Sequence, residues 1–523
     1  MGLVMLIGES RPVTLGLCSA AILPRTLDHS WDAARACMLL IMRGEEHYTL
    51  ICTVAIRNMV CNWFCPFVRY SPSRLLINTT TAVKEIHSHS ANTLKSKAYQ
   101  ALVHSAPNTL TIRHKEDHAR RRRILSLAFS DARMLSYEKI VRRHINTLCD
   151  NLDESAEREQ GSVEMSLESE LGLVFTLPNL HVKIGDYFTF DVMSEVIFGM
   201  RYNAMKESTY RFVSSALEAS NIRISALVQS SLLVTGRLDR YLFPASIQGR
   251  NKFLGFIGSL LRDRSKASFE GNGNVFSFLE TAKDPDGGKE LSKSEIRAEC
   301  ATLVVAGSDT SSSTLAGTLF YLSRNSRAYK RVCDEVRGKF ENAEEIGIGP
   351  RLNSCIYLRA CIDEALRLSP AVGGALWREI GPGGMTVNSL ALPAGIDVGT
   401  GIYSLHHNEE YHRNPFEYLP ERWIAGEDTT TKESVDLARS AFAPFSRGPR
   451  SCVGKGFAYH ELTLTMANII QRFDFCRADA AGQHESGPRG PRDADQFLLR
   501  DHVTGAKSGP LLRFKKRQQR IHE

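Results

Sequence analysis

One stretch, Phe445-Ser446-Arg447-Gly448-Pro449-Arg450-Ser451-Cys452-Val453-Gly454, constrains this 523-residue chain more than any other. A single cysteine stands between two glycines and follows two arginines. From Lys455 to Ile470 the apolar residues recur at helical spacing, so Cys452 lies where an irregular loop delivers the chain into a helix. The first backbone N–H groups of a helix lack intrahelical partners and carry partial positive charge, which favours a thiolate over a thiol. Gly448 and Gly454 admit backbone geometries that other residues resist, and they let a large flat ligand lie against the main chain. A soft anionic sulfur in such a cradle suits iron. A phosphate loop around Gly454-Lys455-Gly456 is excluded: five residues separate Gly448 from Gly454, and no Ser or Thr follows Lys455.

A hydrophobic content of 43% with 24% charged residues is that of a globular chain able to bury a sizeable core. The net charge of +7 suits an acidic partner or an anionic membrane surface but does not indicate nucleic-acid binding. Twelve cysteines without regular spacing suggest neither a disulfide framework nor a zinc module, and a reducing compartment fits best. Residues 1–66 form an atypical N-terminal segment. Met1–Pro24 and Tyr48–Val68 are apolar, but Glu9, Arg11 and Arg57 interrupt both before a clean run of about 18 uncharged residues is reached, which leaves a membrane anchor open. No cleaved signal peptide is marked.

From Phe67 the pattern becomes regular. Val68–Ile77 reads as a strand or strand pair bounded by Pro72, and about Thr80–Ser90 as a helix. Glu116–Phe129 reads as a helix on which His118 and Arg122, four apart, share a face able to grip anions. Phe188–Phe198 is helical, with Gly199 as its stop. Ser292-Lys293-Ser294-Glu295 is a capping box that opens a long helix ending near Asn325. Its centre, Ala306-Gly307-Ser308-Asp309-Thr310-Ser311, is polar and contains a glycine that costs about 1 kcal/mol relative to alanine, so it needs a reason beyond stability. Ser354–Leu368 is a helix with Glu364 and Arg367 on one face, closed by Ser369-Pro370. Ala371–Arg378 and Thr386–Val398 read as short strands and a hairpin. His406, His407 and His412 are read as surface residues, and no His-Glu-x-x-His helix supports zinc chemistry. Arg477–Gln496 has the composition of a flexible insertion, and Phe497–Phe514 reads as a terminal hairpin with its tip near Val503-Thr504-Gly505.

The spacing of Phe445, Gly448, Arg450, Cys452 and Gly454 resembles the haem-binding signature of the cytochrome P-450 superfamily of haem-thiolate monooxygenases. Ala306–Ser311 resembles that family's oxygen-activation motif, Glu364-x-x-Arg367 its conserved pair, and Phe416–Trp423 the segment that pairs with it. These motifs stand in family order over roughly residues 67 to 515. The resemblance implies a mainly α fold with a small β region, with residues 67–523 as one catalytic domain and haem b held between the long central helix and the cysteine loop. It makes Cys452 the axial thiolate and metal ligand. His118, Arg122, Arg378 and Arg450 become propionate anchors, with Phe445 and Gly454 completing the haem cradle, while Ala306 and Gly307 let the helix approach the porphyrin. Asp309 and Thr310 become the catalytic pair that serves bound dioxygen with protons. Glu364, Arg367 and Arg422 become a structural network, and Val305, Ala306, Val372, Ala375 and Leu376 line the pocket of a lipophilic small-molecule substrate, capped by the terminal hairpin.

No flavin or nicotinamide fingerprint is present, so the resemblance implies electrons from an NADPH-dependent reductase docking near Arg447 and Lys455. It also implies a place on the cytosolic face of the endoplasmic reticulum membrane. The texture of His118–Arg123 and Tyr403–Asn408 looks most like fungal members devoted to secondary metabolism. Two other readings stand beside the monooxygenase: a haem-thiolate isomerase or dehydratase that needs no reductase, and a non-catalytic haem-binding protein.

Overall fold

The computed structural model describes residues 66–103, 106–158, 184–229, 233, 238–266, 273–477, 495–497, 499–507, 509–510 and 512–517. Residues 1–65 and 478–494 lie outside these, and with them the expected N-terminal anchor and the insertion before Gln496. Among the described residues no helix is long and apolar enough to cross a membrane.

The first described elements are a hairpin, β1 (Phe67–Ser71) and β2 (Arg74–Ile77), the strand pair of the two readings left open by the sequence. Helix α1 (Thr80–His87) and strand β3 (Thr93–Lys95) follow. Then come α2 (Lys115–Ala128), α3 (Asp131–Arg158), α4 (Ile184–Phe198), α5 (Phe212–Gln229) and α6 (Pro244–Lys266). Gly199 ends α4 with φ +73, the left-handed C-terminal stop that glycine adopts without strain.

The long helix α7 runs from Lys293 to Arg324. Ser292 and Glu295 form the reciprocal capping box read from the sequence. α7 packs along α4 and crosses α8 (Ile356–Leu368) and the last long helix, α10 (Lys455–Arg472). A preceding helix, α9 (Lys432–Ala441), ends just before the cysteine loop. Side chains from α3, α4, α7, α8 and α10 form the main apolar core, with Tyr137, Phe188, Phe198, Tyr321 and Phe473 among its fully buried members.

β1, β2 and β3 join β4 (Arg378–Ile380) and β7 (Asp397–Gly399) in a five-stranded sheet of order β1-β2-β7-β4-β3. Between β4 and β7, β5 (Met385–Val387) and β6 (Leu390–Leu392) form a hairpin. Asn388 and Ser389 turn it with positive φ at both central positions, the geometry that matches strand twist.

The C-terminal region departs from a single hairpin. β9 (Leu499–His502) pairs with β10 (Thr504–Lys507) around Val503, whereas β11 (Leu512–Lys516) pairs with β8 (Phe473–Arg477). Residues 371–377 also depart from expectation: apart from one bridge between Ala375 and Gly401 they form no strand, and the strand begins only at Arg378.

Candidate active site

Cys452 sits where the sequence placed it, two residues before the Gly454 cap of α10. Its N–H donates to Phe445 O at 2.9 Å, closing the loop on itself. The Phe445 ring packs against Tyr459 of α10 at 5.0 Å between centroids. Gly448 has φ +72, and a Cβ there would lie 1.7 Å from His87 O, so only glycine fits against α1. Gly454 is under no such demand: its φ is −85°, and a Cβ would meet Cys452 Sγ at an ordinary 3.9 Å. Gly454 therefore does not hold the unusual backbone conformation expected of it; what the position supplies is closeness to the sulfur.

Cys452 is exposed yet deeply set. The surrounding protein pushes its thiol up; the N–H groups of Gly454 and Lys455 and the charges of Arg122 and Lys455 act against that without overcoming it. The helix terminus therefore helps a thiolate but does not by itself make one. A coordinated metal deprotonates a thiol outright.

Around the loop stands a group of basic side chains. Lys95 of β3 and Arg378 of β4 are direct cross-strand partners, a like-charge pairing that a sheet does not choose for stability. Both are buried, as is His118 of α2. Arg450 reaches the same region, donating to Ile112 O at 2.7 Å and Arg113 O at 3.1 Å. Lys95 Nζ lies 4.2 Å from the Tyr99 ring centroid. Burial, Arg378 and Arg450 hold the Lys95 ammonium far below its usual value. Burial and the charges of Arg450, Arg122, Lys95 and Arg378 push His118 down to about 3, and burial with Arg378 takes Arg450 to about 10. Arg122 donates to Ser451 O, tying α2 to the residue before the cysteine.

Among the described residues, none of Lys95, His118, Arg122, Arg378 and Arg450 is ion-paired with a carboxylate. Buried charges of one sign are costly unless an opposite charge joins them. The donor set fits a flat cofactor that bears two carboxylates and offers a metal to sulfur, which is what a haem presents.

On α7, Thr310 Oγ1 donates to Ala306 O at 2.7 Å within its own turn, so its lone pairs face outward as acceptors. Asp309 accepts at Oδ2 from Thr504 Oγ1 at 2.6 Å and Asn221 Nδ2 at 3.0 Å. Burial raises its carboxyl pKa, while Lys507 and the Thr504 hydroxyl work to lower it. At Gly307 a Cβ would meet the Met193 side chain of α4 at 2.4 Å, so the glycine leaves room for that methionine. Ala306, one turn before Thr310, is exposed.

The neighbouring Ser311 Oγ donates to Glu461 Oε2 of α10 at 2.7 Å. Glu461 lies six residues into α10, about 9 Å along its axis, so this bond fixes how the polar centre of α7 crosses the helix that the cysteine loop enters. Ser312 bonds Asp186 of α4 at 2.5 Å, and Ser313 bonds Gly505 O at 3.0 Å. The polar run in mid-helix is thus spent on neighbours.

Glu364, Arg367 and Arg422 come together as read. Arg367 grips Glu364 at 2.8 and 3.0 Å, and Arg422 Nε reaches Oε1 at 2.9 Å. Trp423 Nε1 and Leu419 N–H add further donors to the same carboxylate. Burial would raise the Glu364 pKa, but the two guanidinium groups hold it below the usual range.

His406, His407 and His412, read as surface residues, are buried. His406 Nε2 accepts from Ala443 N–H at 3.0 Å and its Nδ1 faces Arg367 O, so it is a wedge beneath the network, and burial takes its pKa to about 3. Arg447 is half-buried and donates to the Arg439 and Ser440 carbonyls at the end of α9, while Lys455 is exposed.

Of the expected pocket residues, Ala375 packs with Leu76, Tyr99, Ile224, Val228 and Trp377, with Val503 of the terminal hairpin against the group. Val305 is half-buried and packs against the main core, and Val372 and Leu376 are also half-buried. The sequence gives no sign of the parts taken by Lys95, Tyr99, Asn221 and Glu461, and it shows Thr504 only as part of a hairpin tip. A single lysine in a three-residue strand carries no signal of its own; only its pairing with Arg378 gives it meaning.

The sequence profile of the Cytochrome P450 family matches residues 67–484. Cytochrome P450 monooxygenase apf8 of Gibberella fujikuroi is 67% identical over 385 residues, which cover 73% of this chain and 100% of that protein. Cytochrome P450 monooxygenase atnE of Emericella nidulans is 40% identical over 496 residues, covering 94% of this chain and 88% of that one. The crystal structure of the cytochrome P450DA heme domain shares the fold, with a TM-score of 0.66 at 18% identity over 87% of this chain and 90% of that chain. A profile match over most of the length, with relatives of this similarity and a cysteine loop of this geometry, means that the chain belongs to the cytochrome P450 family of haem-thiolate monooxygenases.

Proposed function

We propose that this protein oxidises a lipophilic small molecule in the biosynthesis of a secondary metabolite, holding haem b at Cys452 and drawing electrons from an NADPH-dependent reductase. The observation that carries the reading is the carboxylate-free cation group beside the cysteine loop, with the Asp309–Thr310 pair on the helix that crosses α10. When bound, the haem supplies the reductive activation of dioxygen. Lys95, His118, Arg378 and Arg450 hold its two carboxylates, with Arg122 fixing the loop at Ser451. Asp309, whose carboxyl pKa is pushed up by the surrounding protein, is the group that takes up and passes on a proton, and Thr310 offers acceptor lone pairs one residue on, so a proton can pass towards the site. Apolar residues around Ala375, Trp377 and Val503 orient an apolar substrate. Lys455, exposed at the start of α10, is the basic contact offered to an acidic reductase surface.

The intact Asp309–Thr310 pair favours a monooxygenase over a peroxide isomerase or a passive haem carrier. A place on the cytosolic face of the endoplasmic reticulum belongs to the same proposal, and cell fractionation tests it. The principal test is Cys452→Ala. The variant is expected to lose both the thiolate-type absorbance of its reduced carbon-monoxide complex and NADPH-dependent product formation; retention of that absorbance would overturn the reading.

A further inference from the structure

Asp309 is held by groups outside both the cofactor cradle and its own helix. Thr504 Oγ1 and Asn221 Nδ2 both reach its Oδ2, and Asn221 Nδ2 also lies 3.1 Å from Thr504 Oγ1. One proton order satisfies all three contacts. The hydroxyl donates to the carboxylate, one amide hydrogen goes to the same oxygen, and the other goes to the hydroxyl oxygen. Three segments distant in sequence, α5, α7 and β10, meet at this triangle, while Oδ1 takes none of these bonds.

The residue before Thr504 is the tip of the β9–β10 hairpin. Val503 has φ +75, a region that β-branched residues avoid, and its side chain packs against the apolar group that contains Ala375 and Trp377. Two consecutive residues therefore touch the apolar cluster around Ala375 and the carboxyl. The hairpin is anchored independently of Thr504. Gly505 N–H donates to Ala371 O at 2.6 Å, Ser313 Oγ to Gly505 O at 3.0 Å, and Ser225 Oγ to Asp501 O at 3.0 Å.

We propose that Thr504 and Asn221 are positioning residues for proton delivery by Asp309, and that the hairpin tip at Val503 links their grip to the apolar pocket. This rests on the reading of Asp309 and Thr310 given above. Both donors stabilise the charged carboxylate and leave Oδ1 as the oxygen that exchanges protons. Displacement of Val503 shifts Thr504 with it, because the two are covalent neighbours at a tight turn. The other charged groups facing Asp309 are Lys507 on β10, Asp186 on α4 and Glu218 on α5, and all three are left intact by the test.

The test titrates the Asp309 carboxyl band by infrared spectroscopy in the holoenzyme, assigned by its disappearance in Asp309→Asn. Thr504→Val keeps the shape and removes the donor; its titration is expected at higher pH than in the parent, and Thr504→Ser is expected to restore it. NADPH consumption with the reductase is expected to fall several-fold in Thr504→Val and to recover in Thr504→Ser. A Thr504→Val titration that coincides with the parent's would overturn the positioning role. Val503→Gly relaxes the turn and removes the apolar contact, and it is expected to move the titration in the same direction; an unchanged curve would remove the link to the pocket. Failure of the underlying reading is separable, since Asp309→Asn would then leave NADPH consumption at the parent rate whatever the infrared curves show.

Discussion

Gly448 and Gly454 flank the same cysteine, yet the structure separates them. At Gly448 the left-handed φ and the approach to His87 O act together, and no side chain can satisfy both. Gly448→Ala is expected to cost about 2 kcal/mol or more, because the left-handed conformation alone costs an L-residue about 1–2 kcal/mol before the clash is relieved. Gly454→Ala is expected to fall well short of that. Chemical denaturation of both variants checks the contrast, and equal losses would contradict it. The motif spacing was legible in the sequence, but φ is not written there, so the two glycines read alike. The same limit explains the three histidines. His406 looks polar in the sequence, yet Ala443 N–H and Arg367 O satisfy both of its ring nitrogens from distant segments.

At the scale of the element, α7 was legible in length and ends because capping is local: Ser292 and Glu295 are three apart. Its polar centre was legible as an anomaly, but its partners lie on α4, α10 and β10 and could not be read. The tie to α10 has a measurable signature. Glu461 is buried, with only Ser311 as a bonding partner and with Oε1 unsatisfied among the described residues. Burial raises its pKa from the ordinary 4.5 to about 8, against the Ser311 bond. Between those values the native state holds a proton that the unfolded chain has released, so stability must fall as pH rises. The contribution is fully present below pH 4.5 and is lost as pH climbs through about 8. Glu461→Gln, neutral at every pH, is expected to flatten this part of the profile and to leave the protein more stable than the parent at pH 8. Unfolding free energies at pH 5 and pH 8 decide it; a parent slope kept in the variant would place the titration elsewhere.

Over the whole molecule, the fold gathers basic side chains from separate segments into one region: Lys95 from β3, His118 and Arg122 from α2, Arg378 from β4 and Arg450 from the cysteine loop. The family motifs made the last four legible, because each stands at a recognisable spacing. Lys95 was not, since its meaning comes from sheet register, which pairs it with Arg378 across 283 residues of chain. Such a gathering works against the protein until an anion joins it, which makes cofactor retention and haem-free stability pull in opposite directions. Lys95→Met keeps the unbranched stem and can retain contact with the Tyr99 ring through its sulfur, while removing the charge. Relief of repulsion from Arg378 and Arg450 is expected to raise the melting temperature of the haem-free protein. Loss of a carboxylate partner is expected to lower that of the holoprotein and to speed haem transfer to an acceptor such as apomyoglobin. The gap between holo and haem-free melting temperatures should therefore narrow from both sides. A variant that melts lower in both forms would mean that Lys95 serves packing alone, and the cation group would then have to be explained without a dianionic ligand.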